Sequence, residues 1–102
     1  MAIATEDRRA EVRYRCDLLG QQMCGPGRYE KLIHNLSSNG FGYRDPVPAS
    51  DVGAPVTMVI STPLGPITML GRIVHIDRNG FVRVRTDQVD RQRLEQFLIS
   101  LD

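Results

Sequence analysis

The sequence contains few of the residues that build cross-linked or metal-binding sites. Its 102 residues include two cysteines, two histidines and no tryptophan. Two cysteines, Cys16 and Cys24, are too few for a disulfide scaffold, and two histidines provide no spaced ligand set for structural zinc. We therefore expect both thiols to be free, and we expect neither a metal ion nor a bound cofactor.

Long apolar runs are absent as well, which excludes a transmembrane helix from the predicted elements. The first residues, MAIATEDRRAEVRYR, lack the apolar segment that follows the basic start of a secretory signal. A hydrophobic content of 41% and a charged content of 25% are ordinary for one small globular domain. These features predict a cytoplasmic protein that does not insert into a membrane.

Lysine is nearly absent, because Lys31 is the single lysine among thirteen basic residues and the other twelve are arginines. The net charge is only +1, which argues against a binder of bulk polyanions such as a histone-like protein. Arginine presents a planar fork of donors that grips phosphate with two hydrogen bonds and stacks on a base, which a lysine ammonium does not do. The arginine excess has two explanations, GC-rich coding and phosphate binding, which only the positions of the arginines can separate.

Most of the chain shows the two-residue alternation of half-buried strands, beginning with EVRYRC at residues 11–16. A loop is predicted at Gly20 and at CGPG, residues 24–27, before a second strand. Asn39-Gly40 is predicted to turn a hairpin, because both residues tolerate positive φ. Later strands are indicated by VTMVIST, ITMLGRIVHID and FVRVR.

The end of the chain has a different period. Leucine and phenylalanine recur at intervals of three and four residues between Leu94 and Leu101, which is the stripe of an amphipathic helix. Thr86 and Asp87 precede this stripe and offer side chains suited to cap the helix N-terminus. The stripe therefore predicts a helix that packs one face on the rest of the domain.

Successive hairpins without intervening helices indicate an antiparallel sheet, and about six short strands in this length favour a closed barrel. We therefore predict a mainly β fold, a six-stranded antiparallel β-barrel over about residues 11–86 with a C-terminal amphipathic α-helix over about residues 87–101. The helix is expected to cover an edge or one mouth of the barrel. Residues 1–7 are predicted to form a flexible arm, and residues 8–102 a single domain.

The sequence does not predict an enzyme. His75 is on the Ile73 side of an apolar strand, which is typical of a core or rim histidine, and His34 is near a strand end. A catalytic nucleophile needs a base within reach and a group that orients the base. The sequence also has no H-E-x-x-H motif, no G-x-S-x-G motif and no glycine-rich phosphate loop that opens a helix.

Two groups of polar residues predict binding instead. Arg9 and Arg13 are four residues apart, and on an extended segment their side chains lie on one side, separated by roughly 13 Å at about 3.3 Å per residue. A curved arm would let them close on a compact anion. The alternative is that both arginines belong to a solvated face.

The second group is HNLSSNGFG at residues 34–42. The amide of Asn35 can pair with a base edge, and the Ser37 hydroxyl can donate to a phosphate or cap a neighbouring backbone group. Gly40 would let the backbone approach a ligand closely. The alternative is an Asx-turn or Ser-turn that only stabilises the hairpin.

Together the two groups resemble the paired signature of the PilZ domain, the bacterial receptor module for cyclic di-GMP. The first motif is R-x-x-x-R at residues 9–13, and the second is N-x-S-x-x-G at residues 35–40. The resemblance extends over nearly the whole chain. As in a PilZ domain, the second motif is followed by a Gly-Phe-Gly strand, a proline-rich link, the GRIVHID strand and a closing helix with the pattern R-x-x-L-x-x-F-L at residues 91–98.

The resemblance implies that Arg9 and Arg13 bind the phosphates and guanine faces of cyclic di-GMP. It also implies that Asn35 and Ser37 line a surface that receives a guanine edge and a phosphate, while Gly40 maintains the shape of the loop. Asn35 stands where the family commonly has aspartate, so this chain offers guanine an amide at that position rather than a carboxylate.

Arg8, directly before the first motif, stands where family members sometimes add a contact to stacked ligand. The resemblance implies a non-catalytic receptor that changes the conformation of its N-terminal arm on binding and signals to a protein effector, as a monomer or weak dimer. One alternative is a PilZ-like adaptor that binds only protein, which the arginine motif disfavours. Another is a barrel for single-stranded nucleic acid, but only 6% of the residues are aromatic and we expect no binding of DNA or RNA.

Overall fold

The computed structural model describes residues 13–45 and 51–101, so the predicted arm at residues 1–7, together with Arg8 and Arg9, lies outside the described residues. The described residues form six strands and one helix. In chain order these are β1 (Tyr14–Cys24), β2 (Gly27–Ser37), β3 (Gly40–Arg44), β4 (Pro55–Thr62), β5 (Gly65–Ile76), β6 (Phe81–Val89) and α1 (Arg91–Ser100).

The six strands form a closed barrel in the order β1-β2-β3-β6-β5-β4. Every neighbouring pair is antiparallel, and β1 closes the sheet because it pairs with both β2 and β4. The predicted fold, a six-stranded antiparallel barrel followed by a helix, is confirmed. The pairing of β3 with β6 joins strands that are distant in the sequence, and it is this pairing that builds the candidate site.

The barrel interior is filled by the apolar residues of the alternating patterns. Along β4, Val56, Met58 and Ile60 are buried, and along β6 the buried residues are Val82 and Val84. Because successive side chains of a strand point to opposite faces, Arg83 and Arg85, which alternate with the valines of β6, lie on the outer surface. The outer surface of the barrel therefore carries the charge.

Helix α1 closes one mouth of the barrel, since a closed barrel has no edge for it to cover. Its buried residues Leu94, Phe97 and Leu98 belong to the same apolar cluster as the barrel interior. The apolar stripe of the sequence predicted that one face of this helix packs on the domain, and the burial of these three side chains agrees with that. Among the described residues, no helix is long and apolar enough to cross a membrane.

The predicted start of this helix, near residue 87, is wrong. Thr86 pairs with Gly71 in the barrel, and β6 continues to Val89. The N-cap is Asp90, whose carboxylate accepts a hydrogen bond from the Arg93 backbone N–H at 3.2 Å. Cross-strand pairing with β5 keeps residues 86–89 extended, and the helix begins only where that pairing ends.

The turn between β2 and β3 also differs from the prediction. Ser37 pairs with Gly40, so the two turn residues are Ser38 and Asn39 rather than Asn39 and Gly40. Gly40 lies in β3 without a positive φ. A Cβ at Gly40 would overlap the carbonyl oxygen of Val84 on β6, so the position needs glycine for a close approach of two strands.

The predicted loop at Gly20 and residues 24–27 is a tight hairpin, in which Cys24 pairs with Gly27 and Gly20 remains within β1. Strand direction alternates around the barrel, so the β2–β3 turn, the β4–β5 turn and the end of β6 lie at one mouth. Helix α1 covers this mouth, and Arg13 lies at the same end, directly before β1. The fold thus places one predicted arginine beside the Ser37–Gly40 segment.

Candidate ligand-binding site

A cleft of about 370 Å³ opens on the outer surface beside the β2–β3 turn. We call it the arginine cleft. Its lining residues come from the position before β1, the β2–β3 turn, β3, β5 and β6. They are Arg13, Asn39, Gly40, Val74, Arg83, Val84 and Arg85. Residues distant in the sequence meet here because β3 and β6 are neighbours in the barrel.

Three guanidinium groups give this cleft its charge. Gly40 pairs with Arg85 and Gly42 pairs with Arg83, so both β6 arginines lie alongside β3 on the outer face. Arg13 approaches from the start of β1. Of the described residues that line the arginine cleft, none is acidic. Planar guanidinium groups of this kind suit a phosphate or another compact anion.

A second cleft, of about 570 Å³, lies on the neighbouring part of the same surface. We call it the mixed cleft because its lining residues carry both signs of charge. They are Arg15, Cys16, Asp17, His34, Asn35, Arg44 and Phe81. The pKa of the Cys16 thiol is raised to about 11, mainly by burial and to a lesser extent by the negative charge of Asp17. This thiol is therefore protonated at neutral pH.

A row of paired residues runs between the two clefts. Arg15 pairs with Asn35, Asn35 with Gly42, and Gly42 with Arg83. A Cβ at Gly42 would lie 2.6 Å from Cζ of Phe81 and 2.8 Å from Nδ2 of Asn35. The missing side chain at Gly42 therefore gives the amide of Asn35 and the ring of Phe81 room to lie over β3.

The Ser37 hydroxyl is used by the turn itself. Ser37 is only 2% exposed. Its Oγ accepts a hydrogen bond from the Asn39 backbone N–H at 3.2 Å and donates to the Gly40 carbonyl at 3.3 Å. These contacts are those of the Ser-turn that the sequence left open as an alternative to phosphate binding.

The structure brings together some of the predicted site residues and separates others. Arg13 and Gly40 line the arginine cleft, and Asn35 lines the mixed cleft. Ser37 is buried within the hairpin and lines neither of these two clefts. Arg8 and Arg9 lie outside the described residues.

Arg83 and Arg85 were missed as candidate site residues. The alternation in FVRVR places both on an outer face, but the sequence does not say that β6 lies next to β3. Of the two positions predicted for His75, core or rim, the core position is wrong, because His75 is exposed near the end of β5. The register between β5 and β6 shifts between Ile73 and His75, so His75 does not follow Ile73 into the core.

Within residues 13–45 and 51–101, no group of three histidine, cysteine or acidic side chains could hold a metal ion. His34 Nδ1 lies 3.9 Å from the Asp17 carboxylate, and its ring centroid is 6.2 Å from that of Phe81. These contacts place His34 at the edge of the mixed cleft.

Comparison with known proteins agrees with this architecture. The profile of the PilZ domain family matches residues 7–100. The fold is similar to that of the Bacillus subtilis inhibitor of motility, MotI/DgrA, with 15% identity, a TM-score of 0.77 and coverage of 94% of this chain and 50% of that chain. It is also similar to the PilZ domain with c-di-GMP of YcgR from Escherichia coli, with 14% identity, a TM-score of 0.70 and coverage of 93% and 89%. The chain thus spans half the length of MotI/DgrA, and no curated protein matches its sequence.

Proposed function

The chain belongs to the PilZ domain family, and we propose that it is a cytoplasmic, non-catalytic receptor for cyclic di-GMP. In this proposal Arg8, Arg9 and Arg13 of the N-terminal segment close over the ligand. The resulting change in the N-terminal arm signals to a protein partner. A similar fold in the PilZ domain of YcgR, which has been solved with c-di-GMP, supports the choice of ligand.

The observation that carries the proposal is the arginine cleft. Arg13, the second arginine of R-x-x-x-R, lines the same cleft as Gly40, the last residue of N-x-S-x-x-G. Arg83 and Arg85 add two further guanidinium groups. Cyclic di-GMP presents two phosphates and two guanines, and guanidinium groups bind phosphate with paired hydrogen bonds and stack on purine faces.

Asn35 provides the polar group for a base. Its side chain lies over Gly42 and beside the Phe81 ring, and Gly42 pairs with Arg83 on β6. An amide carries both a donor and an acceptor, so it can pair with the edge of a guanine whose phosphates lie in the arginine cleft. Ser37 contributes by holding the turn through its two backbone hydrogen bonds.

Isothermal titration calorimetry with cyclic di-GMP tests the proposal. We expect the unmodified chain to bind, and we expect Arg13→Gln and Arg9→Gln each to lower the affinity at least about tenfold, because each removes hydrogen bonds from a charged donor. Arg72→Gln is the matched control, since Arg72 is an exposed arginine that lines neither the arginine cleft nor the mixed cleft.

No heat with the unmodified chain at high micromolar ligand would contradict the receptor function and favour an adaptor that binds only protein. Undiminished binding by Arg13→Gln would mean that the ligand lies elsewhere. A parallel titration with a single-stranded oligonucleotide at two salt concentrations tests nucleic-acid binding, for which the affinity would fall steeply with salt.

A further inference from the structure

Hydrogen bonds connect helix α1 to the β2–β3 hairpin and to the β4–β5 hairpin at the mouth that it covers. Arg91, its first residue, donates from Nη1 to the carbonyl oxygen of Ser38 at 2.7 Å. Arg93 donates from Nη1 to the carbonyl oxygen of Pro66 at 2.9 Å, at the start of β5. One arginine therefore holds the turn that lines the arginine cleft, and the other holds the β4–β5 hairpin.

A second contact joins the β2–β3 turn to the segment before the helix. The Thr86 backbone N–H donates to the carbonyl oxygen of Asn39 at 2.8 Å. The carbonyls of both turn residues, Ser38 and Asn39, thus accept hydrogen bonds from residues 86–91. The turn cannot shift relative to β6 without breaking a contact to one end of this segment.

The same segment begins at the wall of the arginine cleft. Arg85 lines the cleft, and the next residue, Thr86, makes the contact to Asn39. Asp90 then caps α1, and Arg91 follows it. An anion held between Arg85 and the turn would therefore restrain the two structures that Thr86 and Arg91 join. Two events that restrain the same contacts are energetically coupled, and this coupling is reciprocal.

We propose that Arg91 is a positioning residue for the ligand site. Its hydrogen bond to Ser38 holds the turn in the shape that the arginine cleft requires. Through the same hydrogen bond, a ligand bound in the cleft stabilises the first turn of α1. The proposal rests on the proposed function for its ligand, cyclic di-GMP. Arg91 lines neither of the two clefts, so its role is to hold the turn rather than to touch the ligand.

Arg91→Gln and Arg93→Gln form a matched pair for the test, because each removes one hydrogen bond from an exposed helix arginine to a hairpin carbonyl. Amide exchange is measured by NMR without ligand. Arg91→Gln should speed exchange at Asn39 and Thr86, while Arg93→Gln should speed it at Leu64, whose N–H donates to Thr62 Oγ1. The Arg93 variant should leave Asn39 and Thr86 unchanged.

The same variants are then titrated with cyclic di-GMP. Arg91→Gln should weaken binding about fivefold, a coupling at the low end of the usual range, and Arg93→Gln should bind as the unmodified chain does. In the unmodified chain, ligand should slow amide exchange in the first turn of α1, and Arg91→Gln should abolish this effect. A purely structural role for Arg91 would destabilise the helix without removing its response to ligand.

Two results would overturn the proposal. One is the same affinity in both variants, and the other is a ligand response of α1 that persists in Arg91→Gln. Absence of binding by the unmodified chain would instead contradict the proposed function. In that case the ligand-free exchange decides the role of Arg91 by itself, because unchanged exchange at Asn39 and Thr86 would show that Arg91 does not position the turn.

Discussion

Two hairpins at the covered mouth have the same turn chemistry. In the β2–β3 hairpin the Ser37 hydroxyl accepts from the N–H two residues later and donates to the carbonyl of Gly40. In the β4–β5 hairpin the Thr62 hydroxyl accepts from the Leu64 N–H at 3.1 Å and donates to the carbonyl of Gly65 at 2.7 Å. Each turn has two residues, begins after a hydroxyl residue and ends at glycine.

The surroundings of the two hairpins differ. The β2–β3 turn faces Arg13, Arg83 and Arg85, whereas none of residues 62–65 lines the arginine cleft or the mixed cleft. The hydroxyl that closes the turn is therefore common to a hairpin with a candidate ligand site and to one without. Under the proposed function, the arginines and not the Ser37 hydroxyl would make the first hairpin the one that binds an anion.

The largest difference in stability between the two hairpins is expected when their glycines, Gly40 and Gly65, are replaced by alanine. A Cβ at Gly40 would overlap the Val84 carbonyl oxygen, so β3 and β6 would have to separate, and Gly40→Ala should lower the free energy of unfolding by about 3 kcal/mol. Gly65 has a φ of 110°, and a Cβ there would first meet Arg93 Nη1 at 3.6 Å, an ordinary contact. Gly65→Ala should cost only the backbone strain, about 1–2 kcal/mol.

Denaturation with urea measures both variants. An equal or larger loss in Gly65→Ala would contradict the view that close strand approach, rather than turn conformation, requires Gly40. Gly40 also belongs to the predicted ligand motif. A large loss of stability in Gly40→Ala without ligand would show that the fold itself requires this glycine.

The next largest difference is expected in ligand affinity, between substitutions of Arg85 and Arg72. These two residues pair across β6 and β5, and both are exposed. Arg85 lines the arginine cleft, and Arg72 donates to the carbonyl of Gly53 at 3.2 Å. Arg85→Gln should weaken cyclic di-GMP binding about tenfold, since a hydrogen bond from a charged donor contributes roughly 1.5–3 kcal/mol and exposure to solvent reduces this. Arg72→Gln should leave the affinity unchanged.

Calorimetry at two salt concentrations provides the readout. The salt dependence of binding should decrease in Arg85→Gln and not in Arg72→Gln. Equal effects of the two substitutions would mean that only the overall charge matters and that the cleft has no specific role.

Smaller effects are expected at the two hydroxyls. Ser37→Ala and Thr62→Ala each remove two hydrogen bonds of a turn, and each should lower the free energy of unfolding by about 1–2 kcal/mol. The loss should be greater for Ser37, which is buried. Denaturation and calorimetry are carried out on both variants. If Ser37→Ala kept full stability and lost ligand binding, the hydroxyl would serve the ligand and the comparison of the hairpins would fail.

Much of the fold could be predicted because strand and helix periods are local. The alternation in FVRVR and VTMVIST identifies both strands and their inward side chains, and the stripe from Leu94 to Leu101 identifies the helix. Element ends were less accurate. The helix begins at Arg91 because residues 86–89 pair with β5, and this pairing partner is not visible from the local pattern.

The residues that line the candidate site were predicted only in part, for the same reason. Arg13, Asn35 and Gly40 belong to sequence motifs, but Arg83 and Arg85 join them through the pairing of β3 with β6. The Asn39-Gly40 dipeptide suggested a turn, yet Gly40 is needed for its contact with a strand more than forty residues away. Arg13, Asn35 and Gly40, which the local motifs select, thus line the two clefts, whereas Ser37 from the same motif does not. Arg83 and Arg85 line the arginine cleft through a distant partner and were not predicted.

A third turn, between β5 and β6, uses a carboxylate where the other two use a hydroxyl. Asp77 Oδ1 accepts from the backbone N–H of Phe81 at 3.0 Å and from that of Asn79 at 2.8 Å. Chiefly because of the hydrogen bond from Phe81, the pKa of the Asp77 carboxyl is lowered from its ordinary value of 3.8. Protonation should therefore weaken this turn alone.

The sign of the pH dependence follows from the lowered pKa. The contribution of the carboxylate is complete above pH 3.8 and is lost as the pH falls through the lower value of the folded state. NMR protection factors at Phe81 should decrease over this range, while those at Asn39 and Leu64 should not, because a hydroxyl does not titrate there. Asp77→Asn keeps an oxygen acceptor and should remove the pH dependence at Phe81. The same decrease at Asn39 and Leu64 would mean that the whole domain loosens in acid and that the three turns do not differ in this respect.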